Sequence, residues 1–192
     1  MRLFISINFN EQIKDSLYGC IQTLKEGSLR GNFTRRENLH LTLAFLGETS
    51  KAGSAKQAMD AAAGDPFELS IGGFGRFPRG GGDIYWIGVE NSAALNSINS
   101  RLCTALRREG FSIETRAFRP HLTLGREVLP ADGFDRNAFV RSIPPMSMNV
   151  EEISLMKSEK VGGRLTYSEV YAKQLGEVIR VRPGYKSVSI SK

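Results

Sequence analysis

Several residue types are scarce in this chain. Among 192 residues there are two histidines, two cysteines and one tryptophan. Two cysteines cannot build the disulfide framework of a small secreted domain or the four-thiolate cage of a structural zinc. Cys20 and Cys103 each fall in a helix-like stretch and read as reduced core residues. No run approaches the roughly 20 apolar residues of a membrane-spanning helix. The opening stretch, Met1 to Asn10, carries no apolar segment long enough for a secretory signal. These absences predict a cytoplasmic protein with no membrane partner, and the lack of an obvious assembly element predicts a monomer. Gly72-Gly73-Phe74-Gly75 is not followed by the Gly-Lys-Ser/Thr of a phosphate loop, so it reads as a bend within a strand.

What is present is ordinary in bulk and unusual in detail. Hydrophobic residues make up 41%, enough for one core, and the net charge of +6 favours an anionic partner such as nucleic acid or a phosphorylated metabolite. The detail lies in the histidines. Both open near-copies of one tetrapeptide, His40-Leu41-Thr42-Leu43 and His121-Leu122-Thr123-Leu124, 81 positions apart. The same spacing relates Trp86 to Tyr167 and Arg79-Gly80-Gly81-Gly82 to Lys160-Val161-Gly162-Gly163. Cys20 to Gly27 resembles Cys103 to Gly110 at nearly that offset. Chance explains any one of these pairs and explains the set poorly. The chain reads as a duplication, with halves over about 1–82 and 83–173 related by a pseudo-two-fold axis.

Hydrophobic periodicity supplies the elements. Helical spacing predicts helices over 12–25, 53–63, 94–109 and about 135–142. Alternation predicts strands over 2–8, 39–46, 67–77, 84–90, 118–126, 148–157 and 164–172. The fold class that follows is α+β: one bilobal domain over 1–173, mostly antiparallel sheets lining a central cleft, helices packed outside. Residues 174–192 have no counterpart in the first half. Arg180, Arg182, Lys186 and Lys192 outweigh Glu177 there, which makes a basic C-terminal extension.

On a strand, residues two apart share a face. His40 and Thr42 therefore share one face, and Leu39, Leu41, Leu43 and Phe45 the other, which predicts a core position for Phe45. His121 and Thr123 repeat the arrangement. Two imidazoles and two hydroxyls brought together by pseudo-symmetry would surround a tetrahedral anion. In-line displacement at a phosphodiester needs a base on one side of phosphorus and an acid on the other, with donors for the non-bridging oxygens. A metal site is disfavoured, because each motif offers one good ligand and no carboxylate or cysteine cluster joins it. The bland alternative is a buried histidine bonded to neighbouring backbone; it suits one motif better than it suits both.

The segments Glu37-Asn38-Leu39-His40-Leu41-Thr42-Leu43-Ala44-Phe45-Leu46-Gly47 and Phe118-Arg119-Pro120-His121-Leu122-Thr123-Leu124-Gly125-Arg126 resemble the paired motifs of the 2H phosphoesterases. The branch they are most similar to is the RNA 2′,3′-cyclic phosphodiesterases, also called 2′-5′ RNA ligase-like proteins. Met1 to Ile5, Phe74 to Pro78 and Ile153 to Ser158 with Tyr167 extend the likeness, which runs from Met1 to about Lys173. The resemblance implies a bilobal fold with no metal or other cofactor. It also implies hydrolysis of a terminal 2′,3′-cyclic phosphate on RNA to a 2′-phosphate, with reversible 2′-5′ ligation as a further activity. His40 would protonate the departing 3′ oxygen, His121 would activate water, and Thr42 and Thr123 would hold the phosphate. Residue type alone does not separate acid from base. Arg126 is expected on the phosphate as well, although strict alternation turns it away from His121 unless the strand bulges at Gly125. Two other functions remain open: a phosphodiesterase for a small cyclic nucleotide metabolite, and a nucleotide-binding module without turnover.

Overall fold

A computed structural model describes residues 1–90 and 92–176. In chain order the elements are β1 (Arg2–Asn8), α1 (Glu11–Glu26), β2 (Ser28–Phe33), a 3-10 turn (Arg36–Asn38), β3 (His40–Glu48), α2 (Ala52–Ala62), β4 (Phe67–Phe77), β5 (Asp83–Val89), α3 (Ala93–Arg108), β6 (His121–Pro130), α4 (Arg136–Ser142), β7 (Met146–Val150), β8 (Glu152–Val161) and β9 (Arg164–Gln174). All four predicted helices are present. The Asn10 side chain caps α1 by accepting from the Ile13 amide at 2.9 Å, and Ser92 caps α3 by accepting from Leu95 at 3.1 Å. Ile13, Leu17, Ile21 and Leu24 bury one stripe of α1, and Leu95, Ile98, Leu102 and Leu106 do the same on α3.

The strands form two antiparallel sheets, ordered β3-β1-β8-β9 and β2-β6-β5-β4-β7. The α+β class read from periodicity is the class observed. Each sheet draws on both halves of the chain. β1 and β3 are joined by β8 and β9 from the second half, while β5 and β6 are joined by β4 from the first. Leu3, Ile5, Ile7, Leu41, Ile153 and Leu155 fill the core side of the first sheet; Leu69, Ile71, Ile87, Leu122 and Leu124 do so in the second.

Three features depart from the periodicity reading. β2 was not expected. Its sequence, SLRGNF, has no apolar alternation and Leu29 is exposed; backbone pairing with β6 holds it, with Phe33 packed against the core. The single strand expected over 148–157 is two strands in different sheets. β7 pairs with β4, and the chain passes at Glu151 into β8, which pairs with β1. The second motif strand begins at His121, three residues later than expected. Both cysteines are free, but only Cys20 belongs to the core; Cys103 is half-buried on a cavity wall. No helix among the described residues is long and apolar enough to cross a membrane. β9 ends at Gln174, and most of the basic extension, 177–192, lies outside the described residues.

Candidate active site

His40 and His121 each stand at the first position of a strand, and both strands break alternation at the same place. On β3, Thr42 lies opposite Ser6 and Ala44 opposite Ile5, so one extra residue is accommodated at Leu43. Leu43 and Ala44 are both buried, and Phe45 swings out to 63% exposure. On β6, Thr123 lies opposite Trp86 and Gly125 opposite Tyr85, with Leu124 as the extra residue. Leu124 and Gly125 are buried and Arg126 is exposed. Such a bulge reverses the faces beyond it. Phe45 is therefore not a core residue as alternation predicted; it lines the cavity that also holds His40. Arg126 turns to the side of His121 by the same device. Gly125 is needed for close packing, since a Cβ there would meet Val128 at 2.8 Å and Phe33 at 3.1 Å.

Each imidazole is held by the carbonyl two residues before it. His40 Nδ1–H donates to the Asn38 carbonyl at 2.7 Å, and His121 Nδ1–H donates to that of Arg119 at 2.8 Å. A carbonyl only accepts, so in the neutral ring the proton sits on Nδ1 and Nε2 carries the lone pair. His40 Nε2 lies 3.0 Å from Thr42 Oγ1, whose hydroxyl donates to the neutral ring. Among the described residues no side chain bonds His121 Nε2.

An aromatic pair flanks each histidine. Phe4 and Tyr167 stand 4.8 and 5.2 Å from the His40 ring, centroid to centroid. Phe77 and Trp86 stand 5.2 and 6.1 Å from His121. The sequence offset links Tyr167 to His121 and Trp86 to His40, yet in the fold each aromatic packs on the other histidine. Exchange of the closing strands between sheets explains why Tyr167, on β9, lies beside His40. Burial holds the His40 imidazolium below its ordinary pKa, opposed by the bond to Asn38. Burial also pushes the Tyr167 phenol up, against the pull of Arg126, Arg2 and Arg35.

One cavity of about 990 Å³ is lined by all five residues singled out by sequence: His40, Thr42, His121, Thr123 and Arg126. Arg35, Arg79, Arg116 and Arg119 line it too, with Glu114 as the lone carboxylate among its lining residues. Glu114 is paired with Arg116 at 2.9 Å, and Arg35 with Glu37 at 2.9 Å. The remaining positive charge suits a phosphate-bearing ligand. Sequence reasoning put Phe45 in the core, with a ring near the substrate base as the lesser reading, and missed Asn38 as the acceptor for His40 and Phe4 and Phe77 as ring partners. The alternation of the opening strand placed Phe4 with Asn8, opposite His40, and was the available signal for it. Among the described residues no group of three or more His, Cys, Asp or Glu is placed to hold a metal ion.

The chain compares closely with proteins of known family. The family model of the 2′-5′ RNA ligase superfamily matches residues 13–162. A Thermotoga maritima protein named RNA 2′,3′-cyclic phosphodiesterase is 31% identical over 186 residues, covering 94% of this chain and 99% of its own. A Methanothermobacter thermautotrophicus protein of the same name is 30% identical, covering 88% of this chain and 96% of its own. The crystal structure of Escherichia coli LigT in apo form superposes with a TM-score of 0.73 at 28% identity, covering 92% of this chain and 98% of that one. Paired histidine strands in two antiparallel sheets, and a match over most of the chain's length, make this protein a member of the 2′-5′ RNA ligase superfamily.

Proposed function

We propose that this protein hydrolyses the terminal 2′,3′-cyclic phosphate of RNA to a 2′-phosphate, without a metal, through His40 and His121. The observation that carries the reading is that both imidazoles, each with Nδ1 tied to a backbone carbonyl, line one arginine-rich cavity. His121 Nε2 takes a proton from water as the water oxygen attacks phosphorus. The phosphorus–O3′ bond breaks, and His40 Nε2–H delivers a proton to the departing oxygen. His40 must be doubly protonated to do this. Burial opposes that state, and the anionic phosphate favours it. Thr42, Thr123 and Arg126 donate to the non-bridging oxygens as negative charge grows there. With an RNA 5′-hydroxyl in place of water, the same steps would join that end to phosphorus as the P–O3′ bond breaks, giving a 2′-5′ linkage, and run backwards they would cleave it to the cyclic phosphate. Relatives at about 30% identity named for this activity support the substrate.

The deciding experiment incubates an oligoribonucleotide ending in a cyclic phosphate in EDTA and identifies the hydroxyl that keeps the phosphate. A 2′-phosphate product is expected. An intact cyclic phosphate, or a 3′-phosphate, overturns the reading. A second reading, a phosphodiesterase for a small cyclic nucleotide, draws on crystal structures of Escherichia coli LigT complexed with 3′-AMP, ATP and NADP+. Salt separates the two: a polymer engaging several phosphates loses affinity steeply as salt rises, and a mononucleotide does so weakly.

A further inference from the structure

Asn38 does two things at once. Its own carbonyl receives the His40 Nδ1–H at 2.7 Å, and its side-chain Nδ2 donates to the Leu165 carbonyl at 3.1 Å. Leu165 lies near the tip of the β8–β9 hairpin, where Arg35 also donates to the same carbonyl. The Asn38 amide donates to the Arg35 carbonyl at 2.9 Å, which closes the 3-10 turn leading into β3. Asn38 is only 9% exposed, although it is polar and borders the cavity. A buried amide needs hydrogen-bond partners, and Asn38 has them.

The other wall solves the same problem differently. His121 donates to the carbonyl of Arg119, an exposed residue, and Pro120 between them restricts the backbone. In the first half the intervening residue is Leu39, which has no such restriction. Here the side chain of Asn38 is instead bonded across to the β8–β9 hairpin.

We propose that Asn38 is the positioning residue for His40: by clamping the β8–β9 hairpin it holds its own carbonyl where it fixes the ring's tautomer and aims Nε2 into the cavity. The role in catalysis rests on the function proposed above, and the effect on the ring does not. Because the chain has only two histidines, their ring nitrogens are resolvable by ¹⁵N NMR on the full-length protein, with His121 as an internal reference for the fold. In the parent protein both neutral rings should be the Nδ1–H tautomer. In Asn38→Ala, and in the near-isosteric Asn38→Asp that lacks the donor, His40 should become a mixture of tautomers while the His121 signals stay. The kcat on a cyclic-phosphate oligonucleotide should fall about ten- to hundredfold, the size seen when a partner that orients a metal-bound histidine is removed, with KM within about twofold. Asn38→Ser, which keeps a donor, should recover part of the loss. A pure Nδ1–H tautomer at His40 with unchanged kcat in a folded Asn38→Asp protein overturns the proposal. So does a variant that is merely less stable. If the parent protein leaves cyclic phosphate intact, the function fails, and the tautomer of His40 still decides on Asn38.

Discussion

The two walls of the cavity start from the same four residues and end in different environments. On the first, His40 is packed by Phe4 and Tyr167, bonded to Thr42 and bordered by the exposed ring of Phe45. On the second, His121 has Arg126 where the first wall has Phe45, and Arg119 where it has Asn38. Each histidine has its aromatic pair, so the walls differ at the matching positions: Phe45 against Arg126 and Asn38 against Arg119. The paired motifs supply two imidazoles of equal chemistry, and burial holds the imidazolium of His40 below its ordinary pKa. In the proposed displacement at phosphorus one ring gives a proton while the other takes one.

The largest test of this contrast is to remove each imidazole. His40→Ala and His121→Ala should each lower kcat by about 10²–10⁴, the usual cost of a general acid or base. A phosphodiester whose leaving group needs no protonation should restore much of the rate to His40→Ala and little to His121→Ala. Rescue of the opposite variant would exchange the roles.

Arg126→Ala comes next. Loss of a charge-assisted bond to phosphate, about 1.5–3 kcal/mol, should cost roughly ten- to hundredfold in kcat/KM. Phe45→Ala should cost less and spare phosphate affinity, because an aromatic ring offers a stacking face and no charge. Equal losses measured by inorganic phosphate competition would erase the distinction between the walls.

Gly125→Ala probes the bulge itself. The added methyl meets Val128 and Phe33, so stability should fall by about 1–3 kcal/mol, measured by urea unfolding. Unchanged stability would mean that the bulge relaxes easily.

The smallest effect is on pH. Burial disfavours the charged form of His40, so opening its pocket with Tyr167→Ala should raise its pKa toward about 6.5. If protonated His40 is the acid, the alkaline limb of the kcat/KM profile moves to higher pH. A limb that stays put would show that Tyr167 does not desolvate the ring.

Much of the site could be read before any coordinates. His40 and Thr42 share a face because strand alternation is a local rule, and His121 with Thr123 obeys it too. Phe45 was misplaced because the same rule was carried two residues too far. The extra residue at Leu43 exists only through its register with Ile5 and Ser6 on β1. Gly125 hinted at the matching bulge on β6, and β3 has Ala44 there and offers no such hint. β2 was invisible because it lacks apolar alternation and pairs with the backbone of β6, far away in the chain. The hydrogen bond from His40 to Asn38 spans two residues, yet nothing in the motif announces that Asn38 is itself clamped by Leu165, 127 positions away.

Local chemistry in the chain determined the paired imidazoles, their hydroxyl companions, the helices with their caps and the succession of helices and strands, since each depends on neighbours within a few residues. Tertiary pairing decided which aromatic packs on which histidine, which way Phe45 and Arg126 face, and how deeply His40 is buried. Those outcomes depend on strand register and on the exchange of closing strands between the sheets, and both are set by contacts between residues far apart in the chain.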